Sequence, residues 1–386
     1  MIKNLGIYIH IPYCERKCNY CSFLSFSPNN QQIDHEEYVD NLIKEIEYRS
    51  QWLPEKFIVN SIYIGGGTPS CIDERYIKKI VDKLYEKFTI SNDVEVTIEV
   101  NPHSVIKSKL QFYYNIGVNR LSIGVQSLHD NELEIMGRLH NRSTALSTIR
   151  SAKEACFTNI SADIIFGVPE QTKDSLIKTV KELIATGINH ISAYSLQIED
   201  NTQFYNDYKY EKYAFHDERF IDEEFYLLSK FLEENGYIQY EISNYSKNNT
   251  YSRHNLKYWN YEDFIGFGIG ASSFLSGYRY KNDTDIYSWI ASINYTKEKN
   301  YFNKLKKEDI DDAISIYTFT ALRKNEGINL KEFEKMFNVK FWEHYQDKLD
   351  FIKEQIENGY LLMDKDVLRL TQEGIIKSNS IMCEFV

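Results

Sequence analysis

The chain has 386 residues, with 56 acidic side chains against 45 basic ones and a formal net charge of −11. This length is enough to bury a core and predicts two or three domains. The acidic balance argues against a nucleic-acid scaffold as the primary role, because phosphate binding requires a basic surface. The sequence has no apolar run of membrane-spanning length and no signal-peptide pattern near its start, so a cytoplasmic protein without an integral membrane segment is expected.

The first half of the chain alternates predicted strands with predicted helices. Strand segments alternate apolar and polar side chains, and helix segments carry apolar residues at helical spacing. The strands are predicted at 6–11, 60–67, 94–100, 119–125, 160–166 and 190–196, and the helices at 34–50, 73–88, 104–116, 143–156 and 173–186. Six βα-type units imply an α/β fold with a parallel sheet that closes fully or partly into a (β/α)6 barrel.

The alternation stops after residue 197. Residues 200–235 are predicted to be helical, and residues 237–280 are rich in glycine and aromatic residues with strand character. From about residue 305, three helices and a hairpin turning at Asp364–Asp366 form a winged-helix-like pattern. We interpret it as a packing domain rather than a DNA-binding one, because acidic residues outnumber basic ones there. The predicted parts are a barrel (1–200), an extension (201–300) and a smaller α+β winged-helix-like domain (301–386).

Three of the six cysteines lie within eight residues, directly after the first predicted strand. Cys14, Cys18 and Cys21 have the spacing C-x3-C-x2-C. In a reducing compartment such a cluster indicates metal ligands rather than disulfides. Three thiolates on one loop can hold a 4Fe–4S cluster and leave one iron open to another ligand. Zinc is the alternative, with His10 as the only nearby candidate for a fourth ligand. The remaining cysteines are scattered singly and are predicted to be ordinary thiols: Cys71, Cys156 and Cys383.

The cysteine loop, with Tyr20 before its last cysteine, resembles the cluster loop of radical S-adenosylmethionine enzymes. In that superfamily the open iron binds S-adenosylmethionine. The stretch GGGTP at 65–69 resembles the segment that contacts the amino group of this cofactor, which implies roles for Gly66, Gly67 and Thr68. Glycines allow a ligand to approach the backbone closely, although a tight strand-to-helix turn would also explain them.

Further motifs resemble the relatives of oxygen-independent coproporphyrinogen III oxidases, over about residues 5–275. IYIHIPYC resembles that family's first strand and places Tyr8 and His10 on one face. The resemblance implies a radical S-adenosylmethionine barrel whose cofactor is contacted by residues at successive strand ends. These residues are Tyr8 and Tyr20, Glu99 of EVNP, Gln126 of GVQS, Arg142 of GRLHNR and Asp163 of DIIFGVPEQT.

Other features separate the chain from those oxidases. Phe23 stands where the oxidase has a fourth cysteine, and the oxidase's substrate-enclosing N-terminal arm is expected to be absent. Residues 254–259 read H-N-x-x-Y-W and resemble the haem chaperones called HemW. That likeness implies a surface haem site on a loop, with His254 as the iron ligand. From the residues alone, a buried histidine and aromatic plug is the alternative. The chain also has Gly-Ala-Ser-Ser at 270–273, where these chaperones often have Gly-Ala-His-Ser.

The resemblance therefore implies a haem chaperone with a 4Fe–4S cluster and S-adenosylmethionine, which passes haem to acceptor apoproteins and has an electron donor. The alternative is an oxidase-like radical enzyme that acts on a tetrapyrrole. Whether the chain is an enzyme stays open, and oxidase activity is not expected. The sequence identifies neither the acceptor nor the donor. It leaves the oligomeric state open, a homodimer included.

Overall fold

The computed structural model describes residues 3–53, 56–297 and 305–386. Within these ranges, no helix combines the length and the apolar character needed to cross a membrane.

The predicted alternation of strands and helices forms the first part of the structure. Its strands are β1 (Lys3–Ile11), β2 (Phe57–Gly66), β3 (Ile90–Val100), β4 (Arg120–Gln126), β5 (Asn159–Phe166) and β6 (His190–Ser195). Its helices are α1 (His35–Arg49), α2 (Glu74–Lys87), α3 (Lys107–Asn115), α4 (Asp130–Ile135), α5 (Arg142–Glu154) and α6 (Lys173–Ala185). The six strands pair in chain order and are all parallel. The predicted α/β class is confirmed, and α4 is an additional short helix.

The segment after β6 extends both edges of this sheet. It contains α7 (Gln203–Lys209), α8 (Glu218–Glu234), β7 (Ile238–Glu241), β8 (Asn244–Ser246), α9 (Arg253–Trp259), β9 (Phe264–Phe267), β10 (Ser272–Leu275), β11 (Tyr278–Lys281) and α10 (Ile286–Thr296). Strand β8 pairs with β6, and β9 pairs with β1. The resulting order is β11-β10-β9-β1-β2-β3-β4-β5-β6-β8-β7. Since β1 and β6 have other neighbours, the barrel is partial and open.

The C-terminal part is a small α+β unit. It comprises α11 (Ile310–Ala321), β12 (Ile328–Asn329), α12 (Leu330–Phe337), α13 (Phe341–His344), α14 (Leu349–Glu357), β13 (Leu361–Asp364), β14 (Val367–Leu370), α15 (Gln372–Ile376) and α16 (Ser378–Cys383). Its sheet has the order β12-β14-β13, and the hairpin turns at the predicted position, with Lys365 in the left-handed region. The predicted boundary near residue 300 lies outside the described residues, and the three-part division stays a prediction.

The six parallel strands have a polar face and an apolar face. By the period of two along a strand, alternate residues share one face, and on one side these are hydroxyl, carboxylate and imidazole groups. They hydrogen-bond to one another: Ser122 donates to Asp163, and Ser161 pairs with His190. Apolar residues of the opposite face, such as Ile64 and Ile98, join the helices in one core. The curved sheet therefore encloses a polar interior.

A buried ion pair on α1 fastens the extension to the barrel. Glu45 and Arg49 lie one turn apart with 2.7 Å between Oε1 and Nη1, and both are almost fully buried. Arg49 also donates to the Gly266 carbonyl and the Ser273 hydroxyl, each at 2.8 Å. The other Glu45 oxygen accepts the N–H of Gly268 at 2.8 Å. The pair thus joins α1 to β9, to the turn after it and to β10.

Replacing Arg49 with Ala should lower the free energy of unfolding by about 3–5 kcal/mol, because it leaves the Glu45 carboxylate buried without its partner. The matched control is Lys78→Ala on α2, which breaks an exposed pair of the same i,i+4 spacing with Asp82 and should cost below about 1 kcal/mol. Urea unfolding of the three proteins measures the difference. Equal losses in the two variants would contradict the role assigned to the buried pair.

Candidate functional site

The three clustered cysteines line one cavity at the carboxyl ends of the parallel strands, where ligands bind in folds of this kind. Its volume is about 480 Å³. Most of the residues predicted to bind a cofactor line it too. The predicted residues brought together there are Cys14, Cys18, Tyr20, Cys21, Gly66, Gly67, Thr68, Glu99, Gln126 and Asp163. Their roles in binding stay predictions, and their convergence is an observation.

The glycines of GGGTP allow the end of β2 to approach the cysteine loop. Gly66 has a φ of +115°, and a Cβ there would lie 2.6 Å from the imidazole of His10. A Cβ on Gly67 would lie 2.8 Å from the carbonyl oxygen of Tyr13. The backbones are joined as well, since Thr68 donates its N–H to the Tyr13 carbonyl at 2.7 Å. The motif therefore has a packing role in addition to any contact with a cofactor.

His10 supports the cysteine loop with both ring nitrogens. Nε2 donates to the carbonyl of Leu24 at 3.0 Å, and Nδ1 accepts from the Tyr8 hydroxyl at 2.9 Å. This tautomer follows from the carbonyl, which only accepts hydrogen bonds. Burial lowers the pKa of His10 to about 4, so the ring is neutral. The residue considered as a fourth zinc ligand is therefore already fully bonded.

The thiols fit a cluster better than a single metal ion. Cys14 and Cys18 are half-buried, and Cys14 Sγ lies 3.5 Å from the Thr68 hydroxyl. Burial raises the pKa of Cys14, and it raises the pKa of Cys21 to about 11. In the part of the chain that the structure describes, no three His, Cys, Asp or Glu side chains converge on one ion position. A 4Fe–4S cluster instead takes one thiolate on each iron, which suits three separate thiols on one loop.

Two half-buried carboxylates line the cavity beyond the cysteine loop. Glu99 accepts hydrogen bonds from the Tyr63 hydroxyl at 2.8 Å and from the Gly66 N–H at 3.2 Å. Asp163 accepts from the Ser122 hydroxyl at 2.9 Å. Burial raises the pKa of Asp163, and it raises the pKa of Glu99 to about 7. Glu99 lies on β3 and Asp163 on β5, on either side of β4, and both carboxylates are suited to accept hydrogen bonds from ribose hydroxyls.

Gln126 reaches the cavity through an irregular backbone. It has a φ of 65°, in the left-handed region that non-glycine residues rarely occupy. The register between β4 and β5 shifts at this point, between Gly124 and Gln126. Such bulges redirect a side chain and are frequent beside functional sites. The amide of Gln126 therefore lines the cavity at the cost of local strain.

Two of the predicted cofactor contacts do not line the cavity. Tyr8 lies beside it, with its ring stacked on Tyr63 at a centroid distance of 6.3 Å. Arg142 is the first residue of α5, and its guanidinium pairs with the carboxylate of Glu182 on α6, with Nε at 2.9 Å. The prediction that Arg142 enters the cavity is therefore corrected. Arg138 and Arg120, which the sequence had not singled out as cofactor contacts, line it instead.

The H-N-x-x-Y-W motif forms helix α9 rather than a surface loop. His254 has no solvent exposure, and its ring nitrogens are paired with the Ser61 hydroxyl at 3.0 Å and the Tyr258 hydroxyl at 2.8 Å. Burial lowers the pKa of His254 to about 3. The prediction of a surface haem site at His254 is therefore wrong, and the alternative of a buried aromatic plug is correct. Only the next residue, Asn255, lines the cavity among the motif's polar residues.

Helix α9 fills the end of the barrel interior opposite the cysteines. Glu95 of β3 accepts the first backbone N–H groups of the helix, those of Arg253 and His254, each at 3.1 Å. A Cβ at Gly6 of β1 would lie 2.7 Å from Cδ of Lys257, so a larger residue there would have to displace this buried side chain. The i,i+4 spacing of His254 and Tyr258 was the available sequence signal for a helix.

The mouth of the cavity carries several exposed groups, and apart from Phe23 the motifs did not indicate them. Phe23 is 69% exposed, Tyr194 is 42% exposed and Leu139 is 39% exposed. His103 is exposed as well, and Cys71 lies half-buried in the same lining. Ser272, which stands where the haem chaperones often have the histidine of Gly-Ala-His-Ser, is exposed at the start of β10 but does not line this cavity. The mouth therefore combines aromatic surface with an accessible imidazole.

Comparisons with known proteins find relatives along the whole length of the chain. The radical SAM superfamily model matches residues 8–183, and the HemN C-terminal domain model matches residues 318–376. The chain is similar to haem chaperone HemW of Buchnera aphidicola subsp. Schizaphis graminum, with 34% identity over 99% of this chain and 98% of that protein. Its identity to haem chaperone HemW of Bacillus subtilis is 32%, over 98% of each chain. In fold, it is similar to coproporphyrinogen III oxidase (HemN) from Escherichia coli, with a TM-score of 0.83, 21% identity, and coverage of 99% of this chain and 90% of that one.

The raised pKa of Glu99 predicts a pH-dependent contribution to stability. Between about pH 4.5 and 7 the folded chain keeps a proton on Glu99 that the unfolded chain has lost, so this residue reduces stability as the pH rises. Relative to Glu99→Gln, the wild-type free energy of unfolding should fall by about 2 kcal/mol from pH 5 to pH 8. Urea unfolding of both proteins at the two pH values, without S-adenosylmethionine, measures this. A difference that is independent of pH would contradict the assigned cause.

Proposed function

Because the chain belongs to the HemW family of haem chaperones, we propose that it binds haem and delivers it to haem-accepting apoproteins. The observation that carries this proposal is the similarity to haem chaperones along the whole chain, at 30–34% identity in the strongest cases. Membership of the radical SAM superfamily implies a 4Fe–4S cluster and S-adenosylmethionine. The roles assigned below to individual residues are part of the proposal.

We assign the cluster to Cys14, Cys18 and Cys21, which share one loop and one cavity. When bound, such a cluster supplies single electrons to S-adenosylmethionine. Around the cluster, we expect side chains and backbone groups near the carboxyl ends of the strands to bind the polar groups of S-adenosylmethionine. Glu99 and Asp163 are placed to accept hydrogen bonds from ribose hydroxyls. The further candidate contacts are Tyr20, Gly66, Gly67, Thr68 and Gln126, with Tyr8 beside them.

We place haem at the mouth of this cavity. Haem is a flat apolar disc, and the exposed rings of Phe23 and Tyr194 offer it aromatic surface. Its propionates are anionic, and the exposed side chains of Arg16 and Lys17 lie in the same lining. A site at the mouth also allows haem to leave, which a chaperone requires.

His103 is the proposed iron ligand. Four of the nine histidines are buried: His10, His140, His190 and His254. Among the remaining five, His103 lines the cavity. Its Nε2 lies 3.0 Å from the carboxylate of Glu15, which leaves Nδ1 available in the neutral ring. Pairing of one ring nitrogen with a carboxylate is the usual support of a metal-binding histidine.

The cluster assignment predicts that Ala at Cys14, Cys18 or Cys21 abolishes cluster binding, because no other cysteine shares their loop. Anaerobic reconstitution of the wild type should give about four irons per chain and broad thiolate-to-iron absorption. Cys71→Ala is a sharp control, since Cys71 lines the same cavity but lies outside the loop. If the Cys71 variant lost its iron to the same degree, the ligand set would have to be revised.

The haem assignment predicts that His103→Ala weakens haem binding by about tenfold or more, through loss of the axial ligand. Soret-band titration of the full chain measures the dissociation constant. The control is His344→Ala, which removes an imidazole that also lies near a carboxylate, that of Asp311, but in the C-terminal unit. Equal affinities of wild type and His103→Ala would remove His103 from the haem site while leaving the chaperone function standing.

A tetrapyrrole-modifying radical enzyme is the second hypothesis, and the fold shared with HemN is the observation in its favour. Phe23, at the position of the oxidase's fourth cysteine, favours the chaperone instead. The cytoplasmic location, the electron donor and a homodimer stay predictions from the sequence.

A further inference from the structure

Arg138 places a positive charge against the cysteine loop. Its Nη1 donates to Cys18 Sγ at 3.3 Å, and its Nη2 donates to the carbonyl of Gly124 on β4 at 2.7 Å. Its Nε is buried and has no hydrogen-bond partner in the structure. Apart from the carbonyl that anchors it, the guanidinium thus faces the cysteine loop, where it contacts Cys18 Sγ and the Tyr20 side chain.

The backbone fixes this guanidinium relative to the loop. Arg138 follows Gly137, which has a φ of +74° and would bring a Cβ to 3.0 Å from the Asn19 side chain. Asn19, next to Cys18, donates its N–H to the Met136 carbonyl at 3.0 Å and its side-chain amide to the Ile135 carbonyl at 2.8 Å. The turn after α4 and the cysteine loop are therefore held together as one unit that carries Arg138.

We propose that Arg138 raises the reduction potential of the cluster by pairing with the Cys18 thiolate. This inference rests on the proposed ligation by Cys14, Cys18 and Cys21. Reduction adds one electron from an external donor and breaks no bond, so the reduced cluster carries one more negative charge than the oxidised one. A fixed cation and an N–H···S bond stabilise that extra charge, and both are known determinants of cluster potentials.

The other charged residues that line the cavity also affect the reduction potential of the cluster. Glu99, Asp163 and Glu15 line the same cavity, and their ionised forms disfavour a more negative cluster. Arg120 also lines the cavity, but it lies on β4 among the polar groups of the interior, and its charge is felt by Glu95 and Asp163. Arg138 is the arginine that contacts a cysteine sulfur of the loop, so its removal should affect the cluster most directly.

The test is a redox titration of the anaerobically reconstituted full chain, without S-adenosylmethionine. Dithionite with mediator dyes supplies the electron, and the thiolate-to-iron absorption and the electron paramagnetic resonance signal report reduction. Arg138→Gln should shift the midpoint potential to a more negative value. Arg142→Gln is the matched control, because it removes the same charge four residues later from a side chain paired with Glu182. Its potential should equal that of the wild type.

Arg138→Lys keeps the charge but loses the forked contact with Cys18 and Gly124. It should shift the potential in the same direction by a smaller amount, and it serves as the test variant if Arg138→Gln does not retain its cluster. A wild-type potential in an Arg138 variant with full iron content would overturn the proposal. An equal shift in Arg142→Gln would also overturn it, because the effect would then be one of net charge. Iron content reports on the cysteine assignment separately from the potential.

Discussion

Buried polar groups must find hydrogen-bond partners, and the partial barrel depends on how this requirement is met on its inner face. The inner residues of the six strands are mostly polar, and their hydrogen bonds to one another satisfy only part of their capacity. At one end, helix α9 supplies these partners: Ser61 pairs with His254, and Glu95 accepts two backbone N–H groups of the helix. At the other end, Glu99 and Asp163 keep accepting capacity that faces the cavity. The chain thus closes one end of its interior and leaves the other for ligands.

The closed end and the open end are physically connected. The ring of His254 stacks on Tyr63 at 5.4 Å, and the hydroxyl of Tyr63 donates to Glu99 in the cavity. The H-N-x-x-Y-W motif therefore supports the cavity, through the stacking of His254 on Tyr63 and through Asn255, which lines the cavity. We propose that haem binds instead at the mouth of the cavity, where Phe23 and His103 are exposed.

The sequence predicted the strands and helices of the barrel because their periodicities are long and regular. Helix α9 has only seven residues, too few for a clear helical period, and the likeness to haem chaperones predicts a loop there instead. The strand order at the sheet edges depends on β8 and β9, which are too short to signal their partners. Arg138 and Arg142 occur in one short motif, so the sequence alone does not show which of the two enters the cavity. Tertiary packing decides this. The position of His103 at the mouth follows from the fold and carries no motif.

A side-by-side assay of haem and coproporphyrinogen III tests the central claim, that this radical SAM fold carries a tetrapyrrole rather than converting it. The full chain is reconstituted anaerobically and mixed with haem, and separately with coproporphyrinogen III, S-adenosylmethionine and a reductant. Haem binding is followed at the Soret band, and decarboxylation is followed by chromatography of the porphyrins. The account predicts saturable haem binding with or without an intact cluster, and no conversion of coproporphyrinogen III. Multiple-turnover formation of protoporphyrinogen would contradict it.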